Sequence, residues 1–550
     1  QSEDENEPTP CLDDRLIGDK RLVDVFPTRG ISVYQHCCDW KDGQCQHFEN
    51  CKYLKQFEDA QDADVVILTH NELIIPRKTE LKLPKPDLLI IDESFNGIFK
   101  KITKIRKSRI DGYLYNLNKN LYDFDDEPKF NDEIAKGERK ILKAVSDCCI
   151  STKPMIKELK ENGITIEDLR SARSNASNKT TTYCEITGDM DQNEVNNIWR
   201  HLKARTNFFR LYDCLLKDFK QNKDYSSYIG QINHKGFNLC YNMKLENRYK
   251  NIPILIIDGQ ADRTIIEKSI GESFEFHEIN VKRKAKITQA YTSAFSRNRL
   301  TKTTKYNDSN QHIQDLNKFI GIKANEVSKM LIVCYKAIKD ELEIPSNCSY
   351  EYFGGNTTGT NDHKDVDLAL IIGRNQPSID GLENQARCLF GDDPKALRFL
   401  EVSEDGYNNL PTKYARYNMK GNGMNKIVKA SYHPDERIDS ILKQIQEHET
   451  IQVLSRLRDI REEGKEVIIL SNLILPLEID KLVTWSELKN YGAERLDEIL
   501  DSIDWTNEVL PLAAPYIVTK FPQFFKTEIS FSKYMNHQGN QLLNKYTLLS

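Results

Sequence analysis

Two adjacent carboxylates, Asp92 and Glu93, close a short apolar run of the sequence. An acidic residue at the end of a buried strand can hold the hydration shell of a magnesium ion, and a neighbouring glutamate can orient or deprotonate an attacking water. Any buried strand can also end in Asp-Glu, so the pair alone does not identify a site that hydrolyses phosphates. Asp92 and Glu93 are therefore candidate catalytic residues whose context must decide.

Thiols are concentrated near the start of the chain. The sequence has 13 cysteines, an odd number, and four of them lie within residues 37–51. Thiolates gathered this closely in a reducing compartment bind a soft metal centre, either four-coordinate zinc or an iron-sulfur cluster, although unrelated free thiols are the alternative. Because the spacing lacks the paired C-x2-C of a zinc ribbon, zinc is the second choice. The segment contains His36, Cys37, Cys38, Cys45, His47 and Cys51, with Cys11 upstream.

Two further stretches carry groups suited to phosphate chemistry. Gln452 and Arg456 are four residues apart and share a helix face, and Arg458 nearby could reach a terminal phosphate. An arginine-rich helix can equally be a solvated surface. The glycine-rich stretch 353–361 precedes an apolar strand, and such loops approach phosphates closely, although one loop alone is weak evidence.

Composition and charge limit the classes of protein that remain. The chain has 78 Lys+Arg and 83 Asp+Glu in 550 residues, a net charge of -5, which excludes a uniformly basic coat for nucleic acid but leaves local basic faces. No apolar run approaches the roughly 18–20 residues of a membrane span, so we expect a cytoplasmic protein. The acidic start at Gln1 lacks an initiator Met and a signal peptide, so we expect the true N-terminus upstream.

Short Ile/Leu/Val runs that end in polar residues alternate with long polar stretches of helical spacing. Runs that are apolar on both faces suit buried parallel strands, so the predicted fold class is α/β with parallel sheets. The expected strands lie within 63–70, 87–93, 254–259, 330–334, 368–373 and 467–471.

Read in order, these motifs resemble the superfamily 2 DNA helicases that carry an iron-sulfur cluster, the XPD and DinG type, and look closest to helicase modules of phage and plasmid replication proteins. The resemblance implies two RecA-like P-loop NTPase lobes with parallel sheets, a cysteine-cluster insert and a mainly helical, arch-like insert. The implied domains are 1–97 for part of lobe 1 with the cysteine cluster at about 11–55, 98–250 for the arch-like insert, 251–275 for the end of lobe 1, 276–475 for lobe 2 and 476–550 for a C-terminal tail.

The resemblance also implies cofactors and residue roles. The cofactors would be ATP, Mg²⁺ and a 4Fe-4S cluster, with Zn²⁺ as the alternative to the cluster, and Cys38 is preferred to Cys37 as a ligand by its spacing. His70 and Asn71 would couple DNA to nucleotide. The implied roles are cluster ligation by Cys11, Cys38, Cys45 and Cys51; magnesium binding by Asp92; water activation by Glu93; nucleotide binding through Asp258 in motif III and through Gly359, Thr360 and Asn361 in motif V; and the arginine-finger group Gln452, Arg456 and Arg458 in motif VI.

Three departures from the family pattern bear on these roles. No G-x-x-x-x-G-K-[ST] loop occurs in the chain, and since the family has this loop before the first cluster cysteine, we expect it upstream of Gln1, which would leave these 550 residues inactive alone. Motif III has Gln260 and Asp262 in place of Ser-Ala-Thr. Motif VI has Asp459 where the second arginine should be, so Arg458 or Arg461 would have to replace it.

The function implied by the resemblance is an ATP-dependent DNA helicase or translocase that unwinds duplex DNA in replication or repair. Its partners would be single-stranded DNA, forked duplex DNA and replication proteins, with no membrane. The alternatives are a non-catalytic, zinc-bearing nucleic-acid-binding scaffold with degenerate lobes, and an ATPase that translocates without unwinding. The sequence immediately before Gln1 would separate the helicase from the scaffold.

Overall fold

The structure is a computed structural model, and it describes part of the chain. The described residues are 15–17, 20–23, 33–40, 43–75, 83–93, 95–118, 132–151, 153–178, 186–204, 208–259, 261–279, 281–301, 309–355, 363–403, 406–407, 409–417, 419–420, 426–460, 462–489, 513–522, 525, 527–529, 531–532 and 535. The sequence-predicted residues that lie outside these ranges are Cys11, Gln260, Gly359, Thr360, Asn361 and Arg461.

The chain forms two compact units, each drawing on more than one stretch of sequence. The first contains Gln1–Ile279, Pro377–Pro411 and Tyr432–Ile445. The second contains Asn280–Gln376, Thr412–Ser431 and Gln446–Ser550.

The strands and helices of the described residues are numbered here in chain order. The strands are β1 (Leu16–Ile17), β2 (Lys20–Arg21), β3 (Asp39–Trp40), β4 (Gly43–Gln44), β5 (Leu89–Asp92), β6 (Lys100–Arg106), β7 (Gly236–Asn242), β8 (Ile254–Ile257), β9 (Lys286–Ala290), β10 (Met330–Cys334), β11 (Cys348–Tyr352), β12 (Leu368–Ile372), β13 (Val402–Ser403), β14 (Gly406–Tyr407), β15 (Thr412–Tyr417), β16 (Lys426–Ser431), β17 (Glu466–Leu470) and β18 (Lys481–Val483). The helices are α1 (Lys52–Asp59), α2 (Lys107–Asn118), α3 (Asp132–Ser151), α4 (Met155–Glu161), α5 (Ile166–Asn178), α6 (Gln192–Ala204), α7 (Phe209–Lys220), α8 (Arg263–Ile270), α9 (Arg297–Leu300), α10 (Ser309–Asn325), α11 (Ile379–Phe390), α12 (Glu436–Arg456), α13 (Trp485–Lys489) and α14 (Ala514–Lys520).

The second unit is built on a six-stranded sheet in which every neighbouring pair of strands is parallel. Its strand order is β11-β10-β12-β17-β9-β18. Every residue of β10 and β12 is buried, because a parallel sheet that is covered on both faces has no polar side. The predicted α/β class with parallel strands is confirmed for this sheet.

The first unit contains a smaller parallel pair, β5 and β8, in which Leu89 lies opposite Ile254 and Asp92 opposite Ile257. One face of the pair packs against a core that includes Phe95 and Phe99. The other face is solvent-exposed although it is apolar: Ile90 is 56% exposed.

The apolar run at 65–68 differs from its prediction. It is not a strand in this structure, because no described strand pairs with it, and Val65 and Ile67 are 78% and 92% exposed. A 3-10 turn, His70–Leu73, follows it directly.

The stretch between β5 and β8 contains an antiparallel pair of strands, β6 with β7, and the helices α2 to α7 lie between these two strands in the sequence. Helix α5 packs against both α3 and α7, and fully buried side chains of this core include Ile141 of α3, Leu159 of α4 and Leu215 of α7. Helix α11, which comes much later in the chain, packs against β6 and β7 within the same unit.

Candidate functional site

Asp92 and Glu93 lie at the carboxyl end of β5, where both side chains are exposed. The ladder continues one step beyond the strand, because the Glu93 backbone N–H donates to the carbonyl oxygen of Ile257 at 2.9 Å. Glu93 itself has φ 59°, a left-handed conformation that is uncommon outside glycine, asparagine and aspartate. Such conformations cost energy and concentrate at functional sites. The turn thus directs two adjacent carboxylates into solvent at the end of a parallel strand pair, where carboxylate oxygens suit a hard cation such as magnesium.

His70 is brought against this strand end by the 3-10 turn His70–Leu73. Its Nε2 lies 2.9 Å from the backbone carbonyl oxygen of Asp92, and since a carbonyl can only accept, Nε2 carries the proton. The imidazole also meets the ring of Phe95 edge-on, with centroids 6.3 Å apart. The predicted coupling residue and the predicted magnesium ligand are therefore linked by a hydrogen bond.

The same turn is fixed on its other side by two contacts. The backbone N–H of Glu246 donates to the carbonyl of Leu73 at 2.7 Å, and the guanidinium of Arg248 lies 3.5 Å from a carboxylate oxygen of buried Glu72. Asn71, the other predicted coupling residue, is exposed at the start of the turn.

Asp258, predicted to bind nucleotide, follows β8 and is half-buried. Since Asp92 pairs with Ile257, Asp258 comes one residue beyond the paired strand ends. Asp262 has a separate structural task, because its side chain accepts the backbone N–H of Ile265 at 2.9 Å and caps helix α8. Asp262 stands where the helicase family has a hydroxyl residue in motif III. Its role as the cap of α8 gives this difference a local structural reason.

The predicted arginine-finger group lies in the second unit at the end of α12. Gln452 and Arg456 are half-buried on the helix, as the four-residue spacing predicts. Arg458 is half-buried just beyond it with φ 53°, and its backbone N–H donates to the carbonyl of Ser455 at 3.1 Å.

Asp459, which stands where the family has a second arginine, is fully buried in an ion pair. Arg283 donates from Nη1 to its carboxylate at 2.7 Å and from Nη2 to the hydroxyl of Ser455 at 3.2 Å. Burial raises the pKa of Asp459, and the adjacent guanidinium acts in the opposite direction. This position thus holds a structural ion pair and not a cation aimed at a ligand.

The cysteine segment forms a short chain of backbone hydrogen bonds. The N–H of Cys45 donates to the carbonyl of Cys38 at 2.9 Å, that of Phe48 to Cys45 at 2.9 Å, and that of Cys51 to Phe48 at 3.3 Å. Cys38 and Cys51 are buried in one apolar cluster, whereas Cys37 packs in a different cluster with Ile186. Cys38 and Cys51 therefore share an apolar environment that Cys37 does not share.

The donor set suits a soft metal centre in its chemistry. Cys45 is half-buried, and the fourth predicted ligand, Cys11, lies outside the described residues. Within the described ranges, no group of three or more His, Cys, Asp or Glu side chains is gathered closely enough to hold a single metal ion. A four-iron cluster makes a different demand, because each thiolate binds a different iron and the sulfurs stand farther apart.

The glycine-rich stretch is described only up to residue 355. The N–H of Gly354 donates to the carboxylate of Glu449, and Gly354 has φ 77°. Burial raises the pKa of Glu449. Glu449 therefore fixes the start of this loop to helix α12.

Arg374 is a buried cation at the carboxyl end of β12 that the motif search passed over. It is 9% exposed and donates to the side-chain oxygens of Asn472 at 2.8 Å and Gln376 at 3.0 Å. A signal was present in the sequence, since an arginine directly after a buried parallel strand and a glycine is placed where such sheets bind ligands.

Comparisons with known proteins leave the family unassigned. No protein-family model matches the chain, and no curated protein matches it. Among the helices of the described residues, none is both long and apolar enough to cross a lipid bilayer.

Proposed function

We propose that the protein is an ATP-dependent DNA helicase or translocase of the XPD and DinG type, with a RecA-like lobe in each unit. One observation carries the proposal: the hydrogen bond from His70 Nε2 to the carbonyl of Asp92, at 2.9 Å. This hydrogen bond joins His70, which is predicted to couple DNA to nucleotide, with the strand end at Asp92, which is predicted to hold magnesium. The six-stranded parallel sheet of the second unit is a second support, since it suits a RecA-like lobe.

In this proposal the exposed carboxylates of the first unit perform the chemistry. Asp92 holds the metal, which would neutralise charge on the phosphates, and Glu93 orients and deprotonates the attacking water. The left-handed turn at Glu93 sets its side chain apart from the alternation of β5, so the two adjacent carboxylates can serve different tasks. Asp258 at the neighbouring strand end would help to bind the nucleotide.

Gln452 and Arg456 would stabilise the charge that develops on a transferred phosphoryl group. Arg458 is held in a left-handed turn beside them. The proposal also requires a phosphate-binding loop, and no G-x-x-x-x-G-K-[ST] sequence occurs in these 550 residues.

Cys38, Cys45 and Cys51, with Cys11, would hold the 4Fe-4S cluster in this proposal, with Zn²⁺ as the alternative. Cys38 and Cys51 are buried in an apolar cluster, where a thiol that binds no metal and is not oxidised only contributes to packing. An iron-sulfur cluster would make this short, loop-rich segment rigid. The DNA partner would be bound mainly through phosphates, with single-stranded and forked DNA as ligands.

A specific observation favours the scaffold as a second candidate. The Asp459–Arg283 ion pair occupies the position of the second catalytic arginine, as in a lobe that no longer hydrolyses ATP. The two candidates differ in ATP turnover. Full-length protein with single-stranded DNA should hydrolyse ATP as a helicase, and the Glu93→Gln variant should bind ATP without turnover; a scaffold would bind DNA with no hydrolysis in either form.

A further inference from the structure

The six-stranded sheet of the second unit has a topological switch point between β10 and β12. The chain leaves β10 for β11 on one side, and leaves β12 for β17 on the other. In open parallel sheets, adjacent strands whose connections diverge in this way leave a crevice at their carboxyl ends, and ligands bind there.

Arg374 lies at this crevice. It is the second residue after β12, and its backbone is hydrogen-bonded to Tyr335, the residue that follows β10. The N–H of Arg374 donates to the hydroxyl oxygen of Tyr335 at 3.2 Å, and that hydroxyl donates to the carbonyl of Arg374 at 3.2 Å. Gly373, which separates β12 from Arg374, adopts φ 87°. Its backbone lies so close to Tyr335 that a Cβ at this position would collide with the hydroxyl. Tyr335 and Gly373 thus fix the position from which the arginine side chain starts.

The hydrogen-bond partners of the buried guanidinium are uncharged side-chain amides. Its Nη1 donates to Asn472 and its Nε to Gln376, both through amide oxygens, and Gln376 also accepts the side-chain N–H of Gln446 at 2.6 Å. Within the described part of the chain, Arg374 makes no ion pair. Burial lowers the pKa of Arg374.

A buried cation held by neutral amides is expensive unless an anion compensates it. The amides set the plane of the guanidinium, and a planar fork of N–H donors matches the oxygens of a phosphate. A carboxylate of the protein would have satisfied the charge permanently, as Asp459 does for Arg283 in the same unit. The contrast between buried Arg374, which is held by amides, and half-buried Arg283, which is held by a carboxylate, indicates a site that is completed by a ligand.

We propose that Arg374, held by Asn472, Gln376 and Tyr335 at the switch point of the second unit, binds a phosphate group. The phosphate could belong to a nucleotide or to a polynucleotide backbone, and the chemistry of recognition is the same. This site does not depend on Asp92 and Glu93 and would exist in either the helicase or the scaffold.

The test is the thermal midpoint of unfolding of the whole chain, measured against increasing inorganic pyrophosphate, ADP or oligothymidylate. The wild type should gain a few °C as a probe saturates its site, because a ligand that binds only the folded state stabilises it. Arg374→Gln should lose this gain, with binding weakened at least about tenfold, and should be no less stable than wild type without a probe because a buried charge has been removed. Arg374→Lys, which keeps the charge but not the fork, should retain part of the response.

Arg283→Gln is the matched control, because it removes a half-buried arginine of the same unit that has its own carboxylate. This control should lower the midpoint at every probe concentration and leave the response to the probes intact. Phosphates at high concentration stabilise most proteins by exclusion from their surface, so the difference between variants is the readout. A response to ADP alone identifies a nucleotide site, and a response to oligothymidylate a backbone site. Equal responses in wild type and Arg374→Gln, or no response to any probe, would overturn the proposal.

Discussion

The imidazole of His70 and the backbone of Asp92 are joined by a hydrogen bond of 2.9 Å, although 22 residues separate them in the sequence. The bond ties the turn after the apolar run at 65–68 to the end of β5, so a shift of that turn pulls on the peptide that carries the Asp92 side chain. A backbone acceptor gives this link a fixed direction, since Nε2 must be the donor.

His70→Ala should therefore uncouple ATP turnover from DNA. We expect the stimulation of kcat by single-stranded DNA in the full-length protein to fall by roughly tenfold. The free energy of unfolding should fall by only about 1 kcal/mol, which is the net contribution of one hydrogen bond. The comparison is His277→Ala, an exposed histidine of the same unit whose Nε2 lies 3.1 Å from the carboxylate of Glu275. Stimulation that is the same in both variants would show that the His70 bond is structural only.

Cys45→Ser should remove the metal centre without unfolding the rest of the chain, because Cys45 is half-buried. Wild-type protein purified without oxygen should be brown and contain about four irons per chain. Cys348→Ser, which changes a half-buried cysteine of β11, serves as the control and should keep the iron. Stoichiometric zinc with no iron in the wild type would contradict the cluster and support the zinc alternative.

Asp218 gives the helical core of the first unit a pH dependence. Its carboxylate is fully buried on α7, where it accepts the hydroxyl of Ser226 at 2.6 Å and the N–H of Ser227 at 3.2 Å, and burial raises its pKa to about 6. The folded state therefore binds a proton that the unfolded state, with a pKa near 3.8, has already released, so stability falls as pH rises from about 4 to 6 and stays low above that range.

Asp218→Asn should remove this dependence. We expect the variant to be more stable than wild type at pH 8, by on the order of 2–3 kcal/mol, and about equal to it at pH 4. Urea midpoints at several pH values measure the difference. Asp213→Asn is the control on the same helix, because Asp213 is paired with Arg173 near the surface and should not gain stability at pH 8. A variant that is less stable than wild type at pH 8 would contradict the assignment.

Gly373 is required by its backbone conformation and by its neighbours. Gly373→Ala would have to keep φ 87° with a Cβ pressed on the Tyr335 hydroxyl and 2.8 Å from the carbonyl oxygen of Phe295, so we expect a loss of about 2–3 kcal/mol in unfolding free energy. Gly321→Ala in helix α10, where a Cβ meets nothing within 4 Å, should instead gain about 1 kcal/mol. Chemical denaturation measures both, and equal effects would contradict the packing described at the switch point.

The long apolar runs allowed the sequence to predict β5, β8, β10, β12 and β17. It missed β9, which lies between β17 and β18 in the six-stranded sheet, because the strand contains Gln289. That side chain is fully buried and its amide is satisfied by the carbonyls of Ser471 and Leu473 and by the hydroxyl of Tyr417, all distant in sequence. Local pattern cannot reveal partners that only the tertiary structure supplies.

The candidate sites divide in the same way. Asp92, Glu93 and the helix that carries Gln452 and Arg456 were predicted because each motif is local in sequence. Arg374 was not, because its significance comes from what surrounds it: the amides of Asn472 and Gln376 and the divergence of the chain at β10 and β12. The role of Asp459 as the partner of Arg283 likewise depends on a contact across 176 residues.

Displacement of a strand from a forked DNA duplex by the full-length protein tests the proposed function most directly. Wild type should displace the strand only with ATP and magnesium. Glu93→Gln should bind ATP and DNA as tightly but lose turnover and displacement by on the order of 10²–10⁴-fold, because the substitution removes the base proposed to activate water. Glu267→Gln, which alters a carboxylate paired with Arg263 on α8, is the control and should unwind as wild type does. ATP turnover and displacement that are unchanged in Glu93→Gln, or DNA binding with no ATP turnover in wild type, would contradict the helicase.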